Sequence, residues 1–162
     1  MNGQRFELKP MDRLFWAVTA VCVAVLLLPA FGGRIDMAAG IALILTLMAG
    51  WFRPIAYEVD SEGLRIIYPM RWRRIVRQKI VKAWRLDYRT LSPMIRVGVG
   101  GFLGIFGMFY RPGKGWVDVS VTSARDLVLL ERQDSCPLLL SPQDPAAFLR
   151  SLGMTPEPGP YV

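Results

Sequence analysis

From Leu14 to Gly33 the chain runs 20 residues without a charge, and the stretch LFWAVTAVCVAVLLL within it is apolar on every side of a helix. A helix rises about 1.5 Å per residue, so about 20 residues cross a hydrocarbon core of about 30 Å. A second uncharged run goes from Met37 to Phe52, and Ile35 carries its apolar character one turn past Asp36. It is short for a span, and bilayer thinning or snorkelling at its ends would accommodate it. Pro29 and Gly32-Gly33 end the first helix and leave only a few residues before the second. The pattern predicts a tight antiparallel transmembrane hairpin over residues 14–53, preceded by a segment 1–13.

After Arg53-Pro54 the period changes from helical to alternating, as short runs between turn residues require of an antiparallel β domain. Ile55 to Asp60, Ser-Glu-Gly, and Leu64 to Tyr68 predict a hairpin closed at Gly63, with Pro69 stopping its second strand. Arg71 to Arg77 and Val81 to Asp87 predict two further strands around a Gln78-Lys79 turn, followed by strands at Trp116 to Thr122, Leu127 to Glu131 and Leu138 to Leu140. Asp144 is placed as a helix N-cap, Pro145 at the first helical position, and Gly153 at the stop, with Ala147, Phe148, Leu149 and Leu152 as the apolar face. Six or seven strands and one C-terminal helix make a single domain over 54–153. Residues 154–162, rich in proline, are expected to be disordered.

Charge fixes the orientation of the hairpin. Arg5, Lys9 and Arg13 precede it, Arg34 stands alone in its turn, and ten basic residues lie between 53 and 90. Positive charge gathers on the cytoplasmic side, so both termini are expected there, in a bacterial cytoplasmic (inner) membrane. Arg13, Trp16, Trp51 and Arg53 then serve as anchors at one membrane interface. The competing reading of the first segment, a cleaved signal peptide, fits poorly because Leu28-Pro29-Ala30 is a weak cleavage site and the second run follows at once.

Composition removes whole classes of chemistry. The chain has no histidine and two cysteines, Cys22 and Cys136, too few ligands for a zinc site and no imidazole for a triad. Asp87 with Tyr88, or Asp118 with Asp126, form no recognisable acid-base motif. No enzyme activity, cofactor, metal or small-molecule substrate is expected.

The order of these elements, with YEVDSEGLRIIYP, IRVGVGGFLGIFGMFY, VDVSVTSARDLVLLER and LLLSPQDPAAFL, resembles bacterial pleckstrin-homology-like (PH-like) domain proteins of the membrane-anchored kind. The resemblance covers nearly all of residues 10–152. It implies a membrane α-hairpin plus a mainly β domain, a PH-like antiparallel sandwich or partly open barrel capped by one C-terminal helix, with no catalytic residues to transfer. Relatives of this fold often bind phosphoinositides through a basic first hairpin, whereas Asp60-Ser-Glu-Gly here is acidic.

Two segments stand out as candidate contact surfaces. Between positions 71 and 85 there are seven basic residues, Arg71, Arg73, Arg74, Arg77, Lys79, Lys82 and Arg85, interleaved with Trp72 and Trp84. Anionic headgroups attract such a run by roughly 1 kcal/mol per side chain near the surface. On a strand Arg71, Arg73 and Arg77 share one face, taken as an exposed row, while Trp72, Arg74 and Val76 share the other. The competing readings are a solvated strand face and a nucleic-acid surface, the latter disfavoured by the nearby membrane. From Val97 to Tyr110 the chain has five glycines and no charge. Leu103 occupies the place of the third glycine of a dinucleotide fingerprint, and no P-loop lysine follows. Phe102, Leu103, Ile105, Phe106, Met108 and Phe109 therefore belong to a glycine-bulged strand pair in the core, to a wedge in the membrane interface, or to a contact with a partner membrane protein.

The function expected is a membrane-anchored, non-enzymatic interaction module whose basic face meets anionic lipid and which docks to another integral membrane protein or to itself. Its alternative is an accessory subunit or assembly factor of a larger membrane complex. Nucleic acid is not an expected partner.

Overall fold

The structure, a computed structural model, describes the backbone at 3–33, 35–86, 95–100, 104–113, 115–133, 135–155 and 157–158, and the side chains there except at 14, 26, 27, 29–31, 46, 49, 50, 52, 95–100 and 157–158. Two apolar helices, α1 (Arg13–Phe31) and α2 (Ile35–Phe52), pack on each other as a hairpin. The chain leaves α1 through Gly33, whose φ of 77° lies in the left-handed region that ends helices. Among the described residues no helix is long and apolar enough to cross a membrane.

The chain before the helices, expected only as a leading segment, supplies a strand. β1 (Gln4–Glu7) pairs antiparallel with β2 (Ala56–Asp60), and β2 pairs with β3 (Gly63–Ile67) and β3 with β4 (Trp72–Val76) to complete a four-stranded sheet. The turn between β2 and β3 forms because the Asp60 carboxylate accepts the N–H groups of Glu62 and Gly63, each at 2.9 Å. Gly63 has a φ of 147°, and a Cβ there would collide with the Ile75 carbonyl oxygen on β4.

A turn of 3-10 helix (Arg77–Lys79) leads into the second sheet, where β5 (Ile80–Leu86), β9 (Leu127–Arg132), β10 (Ser135–Leu140), β8 (Gly115–Val121), β7 (Ile105–Arg111) and β6 (Ile95–Gly100) lie side by side in that order. The expectation of a wholly antiparallel fold is corrected at β10. It returns from the β9 hairpin to lie between β9 and β8, antiparallel to the first and parallel to the second, with Leu139 opposite Val119. This central place explains why Leu138, Leu139 and Leu140 are all fully buried. β11 (Glu157–Pro158) pairs in parallel with β5, so part of the tail expected to be disordered is a short edge strand; positions 156 and 159–162 lie outside the described residues.

The main core fills the space between the sheets and the underside of α3 (Pro145–Ser151). Phe148 meets Phe6 edge-on at 5.4 Å and Tyr57 at 5.9 Å, joining the helix to the adjacent strands β1 and β2 of the first sheet. β9 reads Leu-Val-Leu-Leu because both its faces are covered: Val128 and Leu130 enter the main core, while Leu127 and Leu129 join Val117, Val119 and Phe109 in a second cluster. The helix begins as its sequence dictates, with the Asp144 carboxylate accepting Ala147 N–H at 2.9 Å and Pro145 in the first turn.

Candidate functional site

Strand registers sort the domain into an end beside the hairpin and an end away from it. β2 starts four residues after α2, with Ala56 opposite Glu7 and Ile67. Leu86 is paired with Leu127 and Val121 with Ile105, which brings the close of β5, the loop 122–126 and the start of β7 to the hairpin end. The β2–β3 turn, the 3-10 turn and Gln133, whose N–H donates to the Lys79 carbonyl at 2.8 Å, lie at the opposite end.

The seven basic residues of the run are divided by this geometry. Arg71 lies at the hairpin end, where its Nε donates to the Trp51 carbonyl at 3.1 Å and its guanidinium stacks on Tyr68 and Trp51 at 4.6 and 5.2 Å. Arg73 turns inward and donates to Asp118 at 2.6 Å, beside Arg132 at 3.4 Å from the same carboxylate oxygen. Arg77 is half-buried at the C-terminal end of α3, next to Gly153. Arg73 and Arg77 thus share the side of the chain that carries buried Ile75 and are half-buried, whereas Arg71, just before β4, is exposed. Arg74 is held by Asp60 and Glu62 in the far turn. Lys79 and Lys82 are exposed, the Lys82 ammonium resting 5.5 Å over the Trp84 ring, and Arg85 donates to Asp126 at 2.7 Å at the hairpin end.

The glycine-rich segment forms the β6–β7 hairpin, in which Gly98 faces Gly107. Phe106 and Phe109 are buried, while Ile105 and Met108 are half-buried. All four lie on β7, whose pairing with β6 runs in continuous register without a bulge. Phe102 and Leu103 lie outside the described residues. Gly104 adopts a φ of 140° where a Cβ would strike the Val121 carbonyl oxygen.

Sequence reasoning missed the tether that ties the start of α1 to the β domain. The Asp12 carboxylate accepts Ala124 N–H at 2.7 Å and the Ser123 hydroxyl at 3.2 Å, while its carbonyl accepts Trp16 N–H. Lys9 donates through its backbone to the Ser141 carbonyl at 3.0 Å and through its ammonium to Asp126. Asp126, at a φ of 53°, is thereby held between Lys9 and Arg85, and these hydrogen bonds keep its carboxyl below the usual carboxylate range. Deeper in, the Tyr57 hydroxyl donates to the Ser120 carbonyl at 3.0 Å and accepts Ser141 N–H at 3.3 Å; burial pushes this phenol far above its ordinary value. The signal for the missed strand was present: Arg5-Phe6-Glu7-Leu8 alternates polar and apolar.

A groove of about 270 Å³ opens where this N-terminal stretch meets the exit from α2, lined by Arg5, Glu7, Leu8, Arg53, Pro54, Ile55 and, at its inner edge, Thr122. Arg13, Trp16 and Trp51 lie at the same end of the hairpin, with both tryptophans about half exposed. Among the described residues no group of acidic, cysteine or histidine side chains is arranged to hold a metal ion.

Two sheets around one core, closed at its margin by a single C-terminal helix, define a PH-like domain, a class whose members are generally non-catalytic interaction modules. The profile of the Bacterial PH domain family matches residues 55–154, and the chain belongs to that family. Comparisons with curated proteins and with solved structures gave no match.

Proposed function

We propose that this chain is a membrane-anchored PH-like interaction module: α1 and α2 cross a bacterial inner membrane, and the β domain sits on its cytoplasmic face to meet anionic lipid and a partner membrane protein. The observation that carries this reading is the surface of the hairpin. Trp16, Val21, Val25 and Leu28 of α1 and Ile35, Leu43, Ile44, Leu47 and Trp51 of α2 are all large, apolar and exposed, between 47% and 71% of each in the open. A helix that shows apolar residues to its surroundings requires lipid or another protein around it.

The helices run 19 and 18 residues, about 27 Å each at the helical rise. The positions within them whose side chains are not described are Leu14, Leu26, Leu27, Pro29, Ala30 and Phe31, then Thr46, Ala49, Gly50 and Phe52. None carries a charge, so Arg13 and Asp36, each in the first turn of its helix, are the charged residues within the two helices.

Lipid contact falls to the basic residues of the hairpin end, Arg53, Arg71 and Arg85, with Lys79 and Lys82 turned to solvent farther out. The Arg71 bond to the end of α2 and the Asp12 bond to the 122–126 loop hold the domain in one attitude to the hairpin. The test is alkaline extraction of membranes from cells expressing the full chain. Retention in the pellet, with release only by detergent, is expected; release by alkali alone would overturn the anchor. The size of the detergent-extracted particle separates a module meeting partners transiently from an accessory subunit in a stable complex.

A further inference from the structure

We propose that the groove between β1 and the exit of α2 binds the headgroup of a zwitterionic aminophospholipid, with Arg5 and Arg53 on its phosphate and Glu7 on its ammonium; this rests on the membrane placement of the hairpin. Arg53 directly follows α2, so the groove opens at the level where lipid headgroups lie. Its apolar wall, Leu8, Pro54 and Ile55, suits the glycerol and first methylenes of a lipid.

The charges in the groove are uncommitted within the protein. Arg5 lies opposite Glu58 across the β1–β2 ladder, but Glu58 pairs with Arg65 at 3.7 Å. Among the described residues neither Arg5, Arg53 nor Glu7 takes part in an ion pair. Arg5 and Glu7 are two apart on one strand and so point to the same side of the sheet. Two guanidinium groups and one carboxylate around a single groove match a phosphate diester joined to a primary ammonium. A purely anionic headgroup would leave Glu7 facing a negative charge, and this sets the expected selectivity.

The experiment uses the full chain in mild detergent micelles doped with phosphatidylethanolamine or phosphatidylglycerol, with bound lipid read by native mass spectrometry. The wild type is expected to retain phosphatidylethanolamine about fivefold better. Glu7→Gln should bring the two lipids to parity, and Arg5→Gln/Arg53→Gln should lower retention of both about tenfold, with Arg5→Lys/Arg53→Lys restoring most of it. Unchanged selectivity in Glu7→Gln, or unchanged retention in the double glutamine variant, would overturn the proposal. Free phosphoethanolamine in lipid-free micelles provides the second arm: binding as tight as that of the lipid would make the ligand a soluble phosphate ester and remove its membrane source. Alkaline extraction of the same variants keeps the two readings apart. A chain that stays in the membrane without lipid selectivity loses only the groove, and one that leaves the membrane but binds phosphoethanolamine loses only the anchor.

Discussion

Arg73 of β4 donates to Asp118 of β8 at 2.6 Å, joining the two sheets through a carboxylate that Arg132 also approaches. The Asp118 side chain is 13% exposed and that of Arg132 7%, whereas Arg73 is 39% exposed. The carboxylate is therefore the member that cannot be removed without leaving a buried charge. Asp118→Asn should cost about 2 kcal/mol, since Arg132 keeps only the Cys136 carbonyl, whereas Arg73→Gln should cost about 1 kcal/mol or less because water reaches it. Thermal denaturation of the full chain in detergent checks the order; the reverse order would refute this account of the seam.

Phe6 lies outside the family-matched segment yet inside its core, 7% exposed and edge-on to Phe148. Phe6→Ala should destabilise the domain by about 3 kcal/mol, as truncation of a buried aromatic does. A loss below about 1 kcal/mol would mean that β1 is dispensable. Removing residues 1–9 should therefore lower the melting temperature of the β domain while leaving the hairpin helical by circular dichroism.

The residues that the sequence placed well are those whose structure is decided locally. Asp60 and Gly63 close their hairpin, and Asp144 and Pro145 start their helix, through contacts within a few positions. Pairing across long separations was not legible. Nothing local in Leu138-Leu-Leu says that β10 inserts between β9 and β8, or that β1 crosses the hairpin in sequence to join β2. In the basic run, charge counts do not reveal partners: Arg73 sits two positions from buried Ile75 and reaches Asp118, 45 positions away. The groove was equally hidden, because Arg5 and Arg53 are brought together only by that β1–β2 pairing.

Asp126 should give the protein an acid-sensitive tether. Hydrogen bonds from Lys9 and then Arg85 lower its folded value below the ordinary 3.8. A carboxylate depressed in this way contributes stability that is fully present above the unfolded value and is lost as pH falls through the folded one, so the loss belongs below about pH 4. Asn tolerates the left-handed backbone found here, so Asp126→Asn should keep the loop and remove this part of the acid limb. Melting temperatures followed from neutral pH to about pH 3 measure it; an unchanged acid limb in the variant would refute the tether.

Topology gives the last test. The hairpin turn and the β domain should lie on opposite sides of the membrane, the turn outside, because basic residues crowd the domain side. Asp36, exposed in the first turn of α2, and Lys79, exposed at the far end of the domain, are suitable reporters. Ser123 is unsuitable, being fully buried and bonded to Asp12. With Cys22→Ala and Cys136→Ser removing the native thiols, Asp36→Cys should react with a membrane-impermeant maleimide on intact cells and Lys79→Cys only after permeabilisation. The opposite pattern would place the domain outside, and labelling of both on intact cells would remove the hairpin from the membrane altogether. The second result would make the exposed apolar faces of α1 and α2 a protein interface, in which case Leu43→Asp and Leu47→Asp should dissociate the partner without changing where the chain resides.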